Sequence, residues 1–170
     1  RSAAFIVEVY GYPVSNFGFI FALLGASILL GTVINRRLLL YFSPTAVIGL
    51  GAALCGVVGT YLLWQSAAGD ALFWQIWGAA AMFMVATAFI MPNATALSLE
   101  PVPGIAGVAA SIVGTIQSIA GASSAIVTSS LYDGSYLNVT RVLGLACLAV
   151  FALSLMRRLF FAHGEHGESQ

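Results

Sequence analysis

Apolar residues run along this chain in five blocks, each interrupted by a short cluster of polar or turn-forming residues. A membrane-crossing helix needs about 20 mostly apolar residues. The blocks at about 15–34, 45–64, 71–91, 105–129 and 139–156 meet that requirement. The clusters between them carry helix-ending chemistry. Asn35-Arg36-Arg37 closes the first block, Ser43-Pro44 opens the second, and Gly69-Asp70 divides the second from the third. Pro92-Asn93, then Pro101, Pro103 and Gly104, separate the third from the fourth. Tyr132-Asp133-Gly134-Ser135 separates the fourth from the fifth. A membrane β-barrel would show segments of about 10 residues with alternating polarity, and the sequence has none. The pattern predicts an all-α, polytopic membrane helix bundle. Residues 3–10 are also apolar but too few to span. They read as the outer end of a sixth helix, with Gly11-Tyr12-Pro13 as the turn into the first complete span.

Composition narrows the class further. Charged residues make up 7% of the 170, against about 25% in ordinary soluble proteins. Hydrophobic residues reach 60% and the mean hydropathy is +0.98. So few charges cannot cover a water-facing surface without large apolar patches. An ordinary cytoplasmic enzyme and a disordered segment are excluded, as is a nucleic-acid binder, because the net charge is zero. All six basic residues are Arg. Their placement sets the orientation, since positive charge collects on the cytoplasmic side. Arg36 and Arg37 follow the first span and Arg157 and Arg158 follow the fifth, so that side is assigned to the cytoplasm. Asp70, Asp133 and Arg141 fall on the other side. Residues 1–162 then form the membrane domain and 163–170 a polar cytoplasmic tail, whose His163 and His166 read as solvated rather than metal-binding. Cys55 and Cys147 each lie within an apolar run and read as small hydrophobes. The chain begins at Arg1 with no signal-peptide pattern, and is expected to be part of a longer polypeptide.

Small residues that let backbones approach mark helix contacts in lipid. In the fourth block Gly107, Ser111, Gly114, Ser118, Gly121 and Ala125 recur every three or four positions. Such a light helix either packs on several sides or lines a cavity. Gly51, Cys55 and Gly59 form a shorter stripe in the second block. Gln117 lies near the middle of the fourth block, where an unpaired amide would cost roughly 1–3 kcal/mol. It bonds a neighbouring helix or faces a wet cavity. Thr115 and Ser118 can instead bond carbonyls of their own helix. Trp64, Phe73, Trp74 and Trp77 cluster at the outer ends of the second and third blocks, as an interfacial belt does. Phe5, Phe17 and Phe21 flank the first hairpin, as packing or as part of a pocket for flat apolar compounds. No Asp, Glu, Lys or Arg lies in the middle of a complete span, so these helices offer no central ion-coupling group. Phosphate loops, zinc-protease motifs and serine-nucleophile elbows are absent, so no enzyme, cofactor or metal is expected. Asn93-Ala-Thr95 and Asn138-Val-Thr140 fit the glycosylation pattern but fall on opposite sides of the membrane.

Three stretches resemble a known family. Residues Glu8 through Leu23, with Asn16-Phe17-Gly18 and Phe21-Ala22 inside them, look like the junction of helices seven and eight in major facilitator superfamily drug transporters. The closest group is the bicyclomycin-resistance and chloramphenicol-efflux type of drug:proton antiporter. Asn35-Arg36-Arg37 is similar to that family's cytoplasmic exit from helix eight, although Leu40-Tyr41-Phe42-Ser43 then replace the usual further Arg and Gly. Pro92-Asn93 through Glu100, then Ala106-Gly107, Ala109, Ser111, Gly114-Thr115 and Gly121-Ala122, resemble the exit of helix ten and the light helix eleven.

The resemblance implies the C-terminal six-helix half of a twelve-helix transporter, seen here as five full spans plus the end of a sixth. Substrate would sit between the halves near the midplane, with helices seven, eight, ten and eleven facing the cavity. That places Gln117, Ser111, Thr115, Phe21 and Trp77 as cavity candidates, and Gly107, Gly114, Ser118 and Gly121 as a helix-packing motif. Asn35, Arg36 and Arg37 are the cytoplasmic loop motif. The expected partners are the N-terminal half, the lipid bilayer, a small-molecule substrate and protons; the expected place is the inner membrane. The residue that handles protons would belong to the other half. The expected activity is efflux of small amphipathic drugs. The alternatives are a metabolite or sugar exporter of the same superfamily, or a non-transporting truncated fragment.

Overall fold

The computed structural model describes residues 17–68, 73–101, 103–130 and 136–164. Every regular element among them is helical: α1 (Phe17–Leu38), α2 (Pro44–Ala68), α3 (Phe73–Leu99), α4 (Ala106–Ser130) and α5 (Tyr136–Gly164), with a 3-10 turn at Pro103–Ile105. All five α-helices are long and apolar enough to cross a membrane. The expected helix end at 3–10, its turn at 11–13, and the turns at 69–70 and 132–135 lie outside the described residues.

Local chemistry explains several ends. Ser43 caps α2, its Oγ accepting from the Ala46 N–H at 3.3 Å, and Pro44 takes the first helical position, where a missing N–H costs nothing. Two expected ends are overturned. Asn35-Arg36-Arg37 does not close α1 but forms its last turn, which runs to Leu38. Two cations there complement the carbonyl end of the helix dipole. The chain then turns through Leu39 N to Asn35 O (3.0 Å) and Phe42 N to Leu38 O (2.8 Å). Pro92-Asn93 likewise does not end α3, which passes through Pro92 and continues to Leu99. Proline has no N–H for the carbonyl one turn back. The Asn93 side chain adds a donor to the neighbouring carbonyl of that turn, Nδ2 to Phe89 O at 2.7 Å.

The helices pack in an order different from their sequence. α2 lies between α3 and α5, and α1 lies on α3. α2 is the most buried helix, with Val47, Ala52, Cys55, Val58 and Leu62 inside. With Ala79 and Ala86 of α3 and Cys147 of α5, its Cys55, Val58 and Leu62 form the core. Close backbone approach makes these contacts. A Cβ on Gly59 would lie 2.8 Å from the Gly144 carbonyl oxygen and 3.0 Å from the Cys147 Cβ. One on Gly51 would lie 3.0 Å from the Ala86 carbonyl oxygen of α3. The Gly51, Cys55, Gly59 stripe is therefore a packing seam that serves both neighbours of α2.

α4 departs from this pattern. None of its residues is buried, and it touches α3 and the 3-10 turn before it only sparsely. Among the described residues its small-residue face is uncovered. A Cβ on Gly107, Gly114 or Gly121 would meet no atom within 4 Å.

Candidate functional site

The cavity candidates fall on three helices. Ser111, Thr115 and Gln117 are all exposed on α4. Their hydroxyls are already engaged locally: Ser111 Oγ donates to Val108 O, Thr115 Oγ1 to Ser111 O and Ser118 Oγ to Gly114 O, each at 2.8 Å. The expected back-bonding of Thr115 and Ser118 is what the structure contains. Helical periodicity sorts the rest. At about 100° per residue, Gly107, Ser111, Gly114, Ser118, Gly121 and Ala125 line one face. Thr115 flanks that face on one side and Gln117 on the other, about 160° apart around the helix. The opposite face carries Ile112, Ile116 and Ile119, all well exposed. A surface that contacts both Thr115 and Gln117 must lie over the small-residue face.

Phe21 and Trp77 occupy neighbouring helices. Gly31 of α1 abuts Val85 and Ala88 of α3, and Asn35 meets Asn93. These pairs are 54 to 58 positions apart, so Trp77, 56 positions after Phe21, stands level with it. Both lie toward the end of the bundle opposite Arg36 and Arg37. Phe21 is exposed and Trp77 half-buried. The Trp77 ring meets Trp74 edge-on, with centroids 6.1 Å apart at 77°. Its Nε1 is buried and has no hydrogen-bond partner among the described residues. Among the described residues, one surface groove of about 630 Å3 is lined by Gly56, Val57, Thr60, Tyr61, Trp64 and Phe151, and another of about 390 Å3 lies beside Leu38, Phe42 and Leu50. None of the five cavity candidates lines either.

The loop motif is also rearranged. Arg36 and Arg37 are exposed, but Asn35 is buried, and its Oδ1 accepts from Asn93 Nδ2 at 2.7 Å. This amide pair joins α1 to α3 beside the Arg residues. Because Asn93 is 4% exposed and doubly engaged, its Asn-x-Thr match cannot serve as a glycan acceptor. The Asn138 side chain lies outside the described ones. A second buried amide joins α2 to α3 at the other end, where Gln65 Nε2 donates to Gln75 Oε1 (2.7 Å) and to Tyr61 Oη (2.9 Å). Neither polar pair was singled out from the sequence. The Tyr61–Gln65 spacing of four positions was the available signal for the second.

No known family profile and no solved structure matches this chain. The chain is similar to the Bicyclomycin resistance protein homolog of Haemophilus influenzae. The two are 25% identical over 148 residues, covering 87% of this chain. The chain spans only 37% of that relative's length. Five membrane-length apolar helices and this likeness agree with the multi-pass membrane architecture read from the sequence.

Proposed function

We propose that this chain is the C-terminal half of a major facilitator efflux transporter that expels small amphipathic, drug-like compounds from the cell. The observation that carries the reading is the likeness to a bicyclomycin resistance protein homolog across most of the chain, together with five helices of membrane-spanning length. In this reading the chain works with an N-terminal six-helix half in the inner membrane, with the tail in the cytoplasm. Transport proceeds by proton antiport and alternating access, the halves rocking about a midplane site. The uncovered small-residue face of α4, flanked by Gln117 and Thr115, turns toward that site. The spans carry no central acid or base, so apolar cargo suits this half and the proton carrier lies in the other.

Two measurements test the proposal. Energised inverted vesicles containing the complete transporter should accumulate an amphipathic drug and release it when a protonophore is added. Vesicles that accumulate nothing would overturn the function. Gln117→Ala in the same protein should change resistance to some compounds at unchanged membrane levels; an unaltered resistance profile would remove Gln117 from the site.

A further inference from the structure

Cys55 and Cys147 were read from the sequence as two separate hydrophobes, and nothing in the transport reading uses them. The fold brings them together. Both are free thiols, 2% and 0% exposed, in one core cluster. Gly59, one turn beyond Cys55 on the same face of α2, would place a Cβ 3.0 Å from the Cys147 Cβ. The two side chains share the core at the α2–α5 contact, where α2 and α5 approach closely enough for Gly59 to admit no Cβ. Their surroundings are apolar: Val58, Leu62, Ala79 and Ala86. α2 and α3 contain no charged residue. On α5, Arg141 and Arg157 stand about 9 and 15 Å along the axis from Cys147.

We propose that this pair is a binding site for a soft, linearly coordinated divalent cation, Hg(II), held as a bis-thiolate that staples α2 to α5. Three features select that chemistry. Two sulfurs and no third ligand suit a linear ion and not tetrahedral zinc, which needs four donors; no cluster of three or more His, Cys, Asp or Glu occurs among the described residues. Thiolate sulfur favours soft ions. The third feature is charge. Hg(II) with two thiolates is neutral, so it can rest in an apolar core. Ag(I) or Cu(I) with two thiolates carries a net negative charge, which an unpaired apolar site penalises. Mercuric chloride enters as a neutral molecule. Two Hg–S bonds form while two Hg–Cl and two S–H bonds break, and two HCl leave; nothing is oxidised or reduced.

The test uses the full chain in detergent micelles with mercuric chloride, read by intact-protein mass spectrometry and bis-thiolate ultraviolet absorbance. Wild type should gain one mercury and lose two hydrogens per chain, and both cysteines should then resist maleimide after denaturation. Cys55→Ala and Cys147→Ala should each weaken retention about 100-fold or more, because the second bond is no longer intramolecular. Silver nitrate should bind far more weakly than mercuric chloride. Two mercury atoms per chain, each keeping its chloride, would overturn the shared site, as would no mercury at all. Silver bound as tightly as mercury would overturn the charge argument. The wild-type stoichiometry decides even where a variant fails to fold.

Discussion

Gly59→Ala probes the contact on which the bundle rests. The new Cβ would meet the Gly144 carbonyl oxygen at 2.8 Å, the Cys147 Cβ at 3.0 Å and the Leu148 Cγ at 3.0 Å. A side-chain tip could swing aside, but the nearest atom is backbone, so α5 as a whole must move away. Overpacking of this kind costs about 1–3 kcal/mol. Removing a helical glycine also returns roughly 1 kcal/mol of helix propensity, which would mask part of the loss. Gly114→Ala supplies the control, because it gains the same propensity and meets nothing within 4 Å. The difference between the two variants isolates the clash. We expect Gly59→Ala to be less stable than Gly114→Ala by about 1–3 kcal/mol. SDS-driven unfolding in mixed micelles, followed by the fluorescence of Trp64, Trp74 and Trp77, measures it. Equal midpoints for the two variants would refute the close α2–α5 packing described above.

Other substitutions test the buried polar pairs. Asn93→Ala leaves the Asn35 amide buried without its partner, and should cost about 1–3 kcal/mol in the same unfolding assay. With Asn35→Ala and the double variant, a double-mutant cycle should give a coupling above about 0.5 kcal/mol; additive losses would mean the two amides do not interact. Gln65→Met breaks two hydrogen bonds, to Gln75 and Tyr61, and should cost about 1–3 kcal/mol. Trp77→Phe gives up an indole N–H that has no partner among the described residues, so its cost should stay below that of Gln65→Met; a larger loss would show that the N–H is engaged.

Much of the architecture was legible because a spanning helix is a statement about composition over about 20 residues. The five blocks became five helices in the expected order. The errors came from reading local punctuation as in a soluble protein. Arg36 and Arg37 after Asn35, and Pro92 before Asn93, look like stops in water, where a broken turn is rehydrated. In lipid an unpaired backbone group has no such relief, and the helix continues through. The same misreading hid Asn35 and Asn93, which were treated as boundary residues and are in fact a buried bond between helices. Stripes of small residues were legible, but not their partners. The short one in α2 is filled by α3 and α5, whereas the longer one in α4 faces nothing within the described residues. A row of glycines permits close approach and does not specify who approaches. Phe21 and Trp77 came level only through the parallel register of α1 on α3, which no local pattern encodes.

The α2–α5 contact carries a timing consequence. Gly59 and Gly144 are separated by 85 positions, and ribosomes add roughly 5–20 residues per second. For about 4–17 s of synthesis, α2 therefore waits in the membrane with one side of its glycine seam empty. The α2–α3 contact at Gly51 can form early, but the α2–α5 joint cannot close before α5 is made.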